Sequence, residues 1–266
     1  MNLQLKGHKA LVTGGDSGIG FATAKFLLQE GAAVVISALH QDKLEKAAQQ
    51  LSSEGGQLHA IPADVTELDS LRKLKSNVQD TAGKIDILVQ AAGITGAQGP
   101  FHKIDEAGWN KTIDVNLLGP VRLVRTFLPL LRKNDWGRIV LIASEDAQQP
   151  YPNEIPYSAS KAGLLALSKG LSKTYAREGI LVNSVSPAFI ATPMTDAMMK
   201  KRADKRGTDM EEAIQSFLDE KRPHIEFDRR GKAEEVASVI TFLCSERASF
   251  MNGANYRIDG GSVASI

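Results

Sequence analysis

Short apolar runs rich in β-branched residues alternate with longer, more charged stretches along this chain. Each run is nearly all apolar, which is typical of strands buried on both faces of a parallel sheet, and the longer stretches carry apolar residues at helical spacing. The runs predict strands at residues 9–13, 34–37, 58–63, 85–89, 138–142, 181–185 and 255–258. The intervening stretches predict helices at about 19–30, 42–53, 67–82, 105–132, 155–178 and 233–245.

The alternation of strands and helices predicts an α/β fold, with no repeat or linker to divide the chain. We expect a single doubly wound, Rossmann-like domain over residues 1–266, with a seven-stranded parallel sheet and helices on both faces. Right-handed crossovers place the loops that follow the strands along one edge of such a sheet, where ligands bind. An insertion at about 193–230 contains several methionines and predicts an amphipathic helical lid over the substrate; core packing of those methionines is the alternative.

Composition and charge narrow the functional classes. Lys plus Arg is 32 and Asp plus Glu is 31, so there is no basic excess to favour nucleic acid or an anionic membrane surface. The only cysteine is Cys244, which excludes an internal disulfide framework, and the five histidines form no metal-binding pattern. No apolar run reaches the roughly 18 residues of a membrane span, and the N-terminus lacks the apolar core of a signal peptide. We therefore expect a cytoplasmic protein without a metal.

A glycine-rich turn joins the first predicted strand to the first predicted helix. Its sequence, Thr13-Gly14-Gly15-Asp16-Ser17-Gly18-Ile19-Gly20, has the spacing G-x-x-x-G-x-G. Glycines allow a tight turn and a close approach of the backbone to a ligand, and the N–H groups that begin the helix suit a pyrophosphate. This turn predicts dinucleotide binding; an ordinary strand-to-helix connection is the alternative.

Tyr157 and Lys161 are four residues apart, so they share one face of a predicted helix that begins near Pro156. An ammonium group beside a phenol favours the phenolate, and we expect it to lower the pKa of Tyr157. Such a tyrosine can protonate a carbonyl oxygen or accept the proton of an alcohol. A solvated tyrosine and lysine on an exposed helix face are the alternative.

The order of these motifs resembles that of the short-chain dehydrogenase/reductase family over nearly the whole chain. The resemblance includes the glycine turn, Asp64-Val65, Ala92-Gly93, Asn116, Ser144, Tyr157-x-x-x-Lys161, Pro187 to Thr192 and Asp259-Gly260-Gly261. It implies an NAD(P)-dependent oxidoreductase that transfers a hydride between nicotinamide and a carbonyl or secondary alcohol substrate. It also implies that Tyr157 is the general acid/base, that Ser144 holds the substrate oxygen, and that Asn116 supports a water chain to Lys161.

The same resemblance implies the cofactor contacts. They are Gly14, Asp16, Ser17, Gly18, Ile19, Gly20, Leu39, His40, Asp64, Val65, Gln90, Ala91, Ala92, Gly93, Tyr157, Lys161, Pro187, Ala188, Ile190 and Thr192. Two stretches depart from the family pattern: residues 90–93 read Q-A-A-G instead of N-N-A-G, and Ala188 replaces a glycine.

The choice between NADP and NAD depends on the end of the second strand. Ala38 stands where NAD-dependent members carry an acid, and Leu39 stands where many NADP-dependent members carry arginine. The missing acid and the nearby His40 and Lys43 favour NADP, whereas Asp16 opposes it, so the balance leans to NADP with NAD still open.

The substrate side is less specific. Polar residues crowd the stretch between Ser144 and Tyr157, and we expect most of them in a solvated loop, although any that line the pocket would favour a hydroxylated substrate. A secondary alcohol, a polyol and an oxo-ester-like carbonyl are all open. Small residues on the helix of Tyr157 and the family resemblance imply a homotetramer or homodimer. A dinucleotide-binding regulator without catalysis and an S-adenosylmethionine-dependent methyltransferase are the competing hypotheses.

Overall fold

The computed structural model describes residues 2–265 and has a seven-stranded, entirely parallel sheet as its centre. The strand order is β3-β2-β1-β4-β5-β6-β9. The strands of this sheet are β1 (Lys9–Thr13), β2 (Ala33–Ser37), β3 (Leu58–Ala60), β4 (Ile87–Gln90), β5 (Gly137–Ile142), β6 (Ile180–Pro187) and β9 (Asn255–Ile258). Two short strands, β7 (Ile190–Ala191) and β8 (Gly231–Lys232), pair separately. The predicted doubly wound parallel sheet is confirmed.

Helices cover both faces of the sheet. They are α1 (Gly18–Gln29), α2 (Gln41–Leu51), α3 (Leu68–Ala82), α4 (Glu106–Ile113), α5 (Gly119–Leu131), α6 (Ile155–Tyr175), α7 (Pro193–Arg206), α8 (Met210–Lys221) and α9 (Ala233–Leu243). Alternate residues of each strand enter opposite layers: Val12 packs with α1, α2 and α9, whereas Leu11 packs with α3, α5 and α6. This division explains why the strand sequences are apolar at nearly every position.

The chain reverses direction across the sheet between β1 and β4. From β1 it runs outward through β2 and β3, then returns to β4 on the other side of β1. A crevice therefore forms beyond the carboxyl ends of these two strands, which is where open α/β sheets bind ligands. The loop after β1 is the glycine turn, and the loop after β4 contains Gly93.

The helix predicted at 105–132 is not one regular helix. A π-helical segment at Asp114–Leu118 separates α4 from α5. Within this segment Asn116 is fully buried, and its side-chain amide both accepts from the Ile94 N–H and donates to the Ile94 carbonyl, each at 2.9 Å. Single π turns of this kind occur frequently at functional sites. The widened turn anchors the loop after β4 to the helix.

The insertion at about 193–230 folds into α7 and α8, which pack on each other. The methionines of this insertion differ in burial. Met199 is fully buried in a small core with Phe189, Phe217, Leu218 and Ile225, as the core-packing alternative predicted. Met194 and Met210 are exposed. The core-packing alternative thus holds for Met199, and a lid over the substrate stays a prediction.

Candidate active site

At the glycine turn, two stretches of backbone lie so close together that no side chain fits between them. Gly14 and Gly18 have φ values of +68° and +54°, in the left-handed region that favours glycine. A Cβ on Gly14 would lie 2.7 Å from the Ala92 nitrogen, and one on Gly20 would lie 2.1 Å from the Gly14 oxygen. The start of α1 is thus held close to the loop after β4, with its first N–H groups unpaired within the helix.

Two adjoining cavities follow this edge of the sheet. The larger has a volume of about 660 Å³ and the smaller about 210 Å³. The larger is lined by these predicted residues: Gly14, Asp16, Leu39, His40, Asp64, Val65, Ala92 and Gly93. The smaller is lined by these: Gly14, Asp16, Ser17, Gly18, Ile19, Gly20, Ala91, Ala92, Gly93, Ser144, Tyr157, Lys161, Pro187, Ala188, Ile190 and Thr192. One continuous cleft thus brings the glycine turn and the Tyr-x-x-x-Lys helix together.

Gln90 and Asn116 do not line either cavity. Gln90 is buried at the end of β4, where its side-chain amide donates to the Ala92 carbonyl. Asn116 holds Ile94 through the two hydrogen bonds described above. Both amides therefore shape the loop that forms the cleft wall. A Cβ on Gly93 would lie 3.3 Å from Oδ1 of Asn116 and 3.7 Å from Nζ of Lys161, so these two side chains converge on the same point of that wall.

Ser144, Tyr157 and Lys161 meet where β5 ends and α6 begins. Ser144 lies just after the end of β5, and Tyr157 and Lys161 lie in the first two turns of α6. Lys161 is 5% exposed, donates to the Ile142 carbonyl at 2.8 Å, and places Nζ 5.6 Å from the centroid of the Tyr157 ring. The helix turn that separates the two residues thus directs both side chains to one site.

The pKa of Tyr157 shifts in the direction opposite to our expectation. Burial raises the pKa of Tyr157 well above its usual range, the negative charge of Asp146 adds to the increase, and a hydrogen bond with Ser144 opposes it. Burial also lowers the pKa of Lys161 to about 8. The expectation that Lys161 lowers the pKa of Tyr157 is therefore wrong for the protein alone, because burial of the phenol and the nearby carboxylates raise this pKa instead.

A third cavity, of about 70 Å³, opens beside Ser144 and Tyr157. Its apolar wall consists of Phe189, Met194, Met198 and Phe217, and its polar wall consists of Thr95, Gln98, Glu145, Asp146, Glu154 and Arg222. The expected solvated loop is wrong for Glu145 and Asp146, which are only 1% and 3% exposed. The turn that contains them packs against α6 and β6, and Arg222 of the insertion lies against both carboxyl groups.

Arg222, just beyond α8, is the cation of this buried cluster. Its Nε lies 3.0 Å from Oε1 of Glu145, and its Nη2 lies 3.2 Å from Oε2 of Glu154 and 4.0 Å from Oδ1 of Asp146. Its guanidinium group also stacks 3.4 Å from the centroid of Tyr151. Sequence reasoning missed Arg222 because one arginine in a charged insertion carries no local signal of burial.

Sequence reasoning also missed part of the wall of the larger cavity. Asn110, Lys111, Asp114 and Val115 reach it from α4 and the π-helical segment, and Thr66 reaches it from the loop after β3. Asp114 and Val115 belong to the irregular turn at 114–118, which periodicity alone does not predict. Lys111 adds a cation to the cavity that Leu39 and His40 also line.

Within residues 2–265, no group of three or more His, Cys, Asp or Glu side chains could hold a metal ion. None of the helices in the described part of the chain is long and apolar enough to cross a membrane.

Comparisons with known proteins agree with this geometry. A family model described as "Enoyl-(Acyl carrier protein) reductase" matches residues 14–263. An uncharacterised oxidoreductase of Bacillus subtilis is 36% identical over 266 residues, covering all of both chains. The 3-oxoacyl-[acyl-carrier-protein] reductase of Thermotoga maritima is 34% identical, over 98% of this chain and 100% of the relative. A crystal structure of L-sorbose reductase from Gluconobacter frateurii with NADPH and L-sorbose superposes with a TM-score of 0.95 at 32% identity, covering both chains completely.

Proposed function

This chain belongs to the short-chain dehydrogenase/reductase family, and on that premise we propose that Ser144, Tyr157 and Lys161 perform its chemistry. It is an NAD(P)-dependent oxidoreductase that acts on carbonyl or secondary alcohol groups. The observation that supports these residues is the single cleft in which they face the glycine turn of Gly18–Gly20. No other cluster in the described chain combines a nucleotide-binding turn with a tyrosine and a lysine.

The cleft suits a dinucleotide by two features of the chain itself. The glycine cradle leaves no room for a Cβ at Gly14 or Gly20, so the backbone is free to contact a phosphate at the start of α1. Oγ1 of Thr13, buried at the end of β1 and lining the cleft, has no hydrogen-bond partner among the described residues. When bound, the nicotinamide supplies or accepts the hydride. The residues predicted as cofactor contacts would hold it, apart from Gln90, which supports the wall.

Tyr157 supplies the proton in the proposed mechanism. A substrate carbonyl enters beside Ser144 and Tyr157, where the two hydroxyl groups hold its oxygen. Because burial raises its pKa, Tyr157 stays protonated at neutral pH, which is the form that carbonyl reduction requires. Lys161, fixed by the Ile142 carbonyl, orients the site from the next turn of α6, and Asn116 positions the adjoining loop. At neutral pH Tyr157 is therefore in the protonation state that carbonyl reduction uses.

NADP is the proposed cofactor in preference to NAD. Neither Ala38 nor Leu39 places a carboxylate beside the adenosine ribose, while His40 and Lys111 line the same cavity. The L-sorbose reductase that superposes at 0.95 was crystallised with NADPH, which supports the same choice. Asp16 is the acid that opposes it, so the KM values for NADPH and NADH are the decisive comparison.

A substrate panel tests the proposed function. NADPH is mixed with the enzyme and ketones of several classes, and oxidation is followed by the nicotinamide absorbance. We expect turnover with at least one class and its loss in Tyr157→Phe. NADPH binding without turnover of any carbonyl or alcohol would favour the alternative of a catalytically silent regulator. Binding of S-adenosylmethionine instead would favour the methyltransferase alternative.

We also propose a homotetramer, with a homodimer as the smaller possibility, in the cytoplasm. The exposed face of α6 carries Ala159, Ala162 and Ala166, which permit close approach of a second helix, and Phe250 is fully exposed nearby in sequence to β9. Light scattering tests the assembly, and a monomer at micromolar concentration would refute it. Subcellular fractionation tests the location.

A further inference from the structure

The cavity beside Tyr157 has a strongly acidic end that the proposed chemistry does not use. Glu145, Asp146 and Glu154 contribute three carboxyl groups, and Arg222 contributes one cation. Burying this many carboxyl groups is costly unless partners compensate for it. Burial is the main reason that the pKa values of Glu145 and Asp146 are raised.

Most polar atoms of this cluster already have partners. Arg222 donates through Nε to Glu145, through Nη2 to Glu154 and through Nη1 to the Lys221 carbonyl. All three nitrogens of the guanidinium group therefore donate within the protein, so the group is not available for a bidentate pair with an anionic substrate. Glu145 is held in place by this pair, beside the hydroxyl of Ser262.

Two carboxyl oxygens of the cluster lack a hydrogen-bond partner among the described residues, Oε2 of Glu145 and Oδ2 of Asp146, and Asp146 is the residue that also binds Ser144. It is 3% exposed, and its Oδ1 is 3.0 Å from the hydroxyl of Ser144. Its Oδ2 has no hydrogen-bond donor among the described residues, although Asp146 lines the cavity. A buried acceptor without a donor is uncommon in folded proteins and indicates a partner from outside the chain. A ligand that donates hydrogen bonds would supply it.

From this arrangement we infer that the acidic end of the cavity binds hydroxyl groups of a small polyhydroxylated carbonyl substrate, with Asp146 accepting a hydrogen bond through Oδ2. The inference rests on the proposed function, since it places the reacting carbonyl at Tyr157. Phe189 and Phe217, which also line the cavity, would cover the carbon skeleton. An oxoacyl thioester, the class that the Thermotoga relative's name describes, offers no hydroxyl donors next to its reacting carbonyl.

The test compares substrates of equal carbon skeleton. Erythrulose carries three hydroxyl groups on a four-carbon ketone, and butan-2-one is the same skeleton without them. With saturating NADPH, we expect kcat/KM for erythrulose to exceed that for butan-2-one by at least about 100-fold, since a site built for hydroxyl groups rejects analogues that lack them. We also expect erythrulose to exceed acetoacetyl-N-acetylcysteamine by at least about 10-fold on the same principle.

Three variants assign the preference to Asp146. Asp146→Leu should lower kcat/KM for erythrulose by about 5-fold more than it lowers kcat/KM for butan-2-one, the value of one hydrogen bond, because both ketones depend on Ser144 but only erythrulose can reach Oδ2 with a hydroxyl group. Asp146→Asn, which keeps an amide oxygen, should restore most of the loss. Asp80→Leu, at an exposed acid on α3 outside the cavity, is the matched control and should change neither substrate.

The outcomes separate this inference from the proposed function. If butan-2-one or the thioester is reduced at least as well as erythrulose by the native protein, the hydroxyl site is overturned while the oxidoreductase function stands. If Asp146→Leu lowers both four-carbon ketones equally in a folded protein, Asp146 acts through Ser144 and the inference is likewise overturned. If no carbonyl is reduced although NADPH binds, the proposed function fails and the inference fails with it.

Discussion

The hydroxyl of Ser144 lies 3.0 Å from Oδ1 of Asp146, inside the turn that follows β5. The backbone N–H of Asp146 also donates to the same hydroxyl, at 3.3 Å. Asp146 therefore forms hydrogen bonds with the Ser144 hydroxyl through both its side chain and its backbone. A substrate carbonyl must compete with this carboxyl group for the serine proton, so the ionisation of Asp146 bears directly on the site.

The first prediction concerns stability and pH. Burial, with the nearby charge of Glu154, raises the pKa of Asp146 from 3.8 to about 8, while Arg222 opposes the shift. Between these values the folded state holds more protons than the unfolded state, so stability falls as pH rises through this window. Asp146→Asn removes that penalty. We therefore expect the Tm of Asp146→Asn minus the Tm of the native protein to be larger at pH 8 than at pH 5. The increase should be at least about 2 °C for each kcal/mol of this penalty that the substitution removes.

Differential scanning calorimetry or fluorescence at pH 5, 6, 7 and 8 measures this difference. The charge of Asp146 also raises the pKa of Lys161, so Asp146→Asn lowers that pKa further. The buried lysine then loses its proton at a lower pH, which likewise increases the stability of the variant relative to the native protein as pH rises. A Tm difference that stays constant across the four pH values would contradict the raised pKa.

The second prediction concerns the proton donor. Tyr157→Phe removes the phenolic hydroxyl and keeps the ring, which lines both the nicotinamide side of the cleft and the substrate cavity. We expect kcat to fall by at least about 100-fold, the lower end for general acid catalysis, with NADPH affinity retained. Single-turnover rates and NADPH fluorescence titration measure the two quantities. A variant with near-native kcat would remove Tyr157 from its assigned role.

The third prediction concerns the glycine turn. In Gly20→Ala the new Cβ would lie 2.1 Å from the Gly14 oxygen, so the turn must move away from the start of α1. We expect the Kd for NADPH to increase at least about 10-fold, equivalent to about 1.4 kcal/mol. Fluorescence titration measures the Kd, and a thermal melt shows whether the sheet remains folded. Unchanged affinity in a folded variant would show that the phosphate does not bind at this turn.

The fourth prediction concerns cofactor selection. Ala38 lines the larger cavity at the position where NAD-dependent members carry an acid, so a carboxylate there would face the adenosine ribose. Ala38→Asp should shift the ratio of kcat/KM for NADH over NADPH upward by at least about 10-fold, because the carboxylate bonds the ribose hydroxyls and repels a 2′-phosphate. Ala38→Asn has the same shape without the charge and should shift the ratio much less. Equal ratios in the two variants would place the selecting residue elsewhere.

Much of the fold was predictable from local patterns. The seven strands of the sheet are short apolar runs bounded by turns, and all of them form near the predicted positions. The glycine turn and the Tyr157-x-x-x-Lys161 spacing carry their geometry within a few residues, so the cleft that joins them was predictable as well. The remaining boundary differences lie at element ends, where fraying and tight turns decide the last residues.

The features that escaped sequence analysis depend on distant contacts. The π-helical turn at Asn116 exists because its amide binds the backbone of Ile94, 22 residues away. The burial of Glu145 and Asp146 depends on Arg222, which arrives from the insertion 77 residues after Glu145. The same cluster, together with burial, explains the raised pKa of Tyr157, since the expectation from the Tyr–Lys pair ignored carboxylates from other elements.

The pairing of Arg222 with Glu145 has a consequence for protein engineering. It joins the insertion to the turn after β5 by a contact that neither segment can satisfy alone. Grafting an insertion from another family member, a common way to alter specificity, would leave Glu145 as an isolated buried anion unless the donor sequence brought its own arginine. The two segments therefore form one exchangeable module, and chimaeras should carry both or neither.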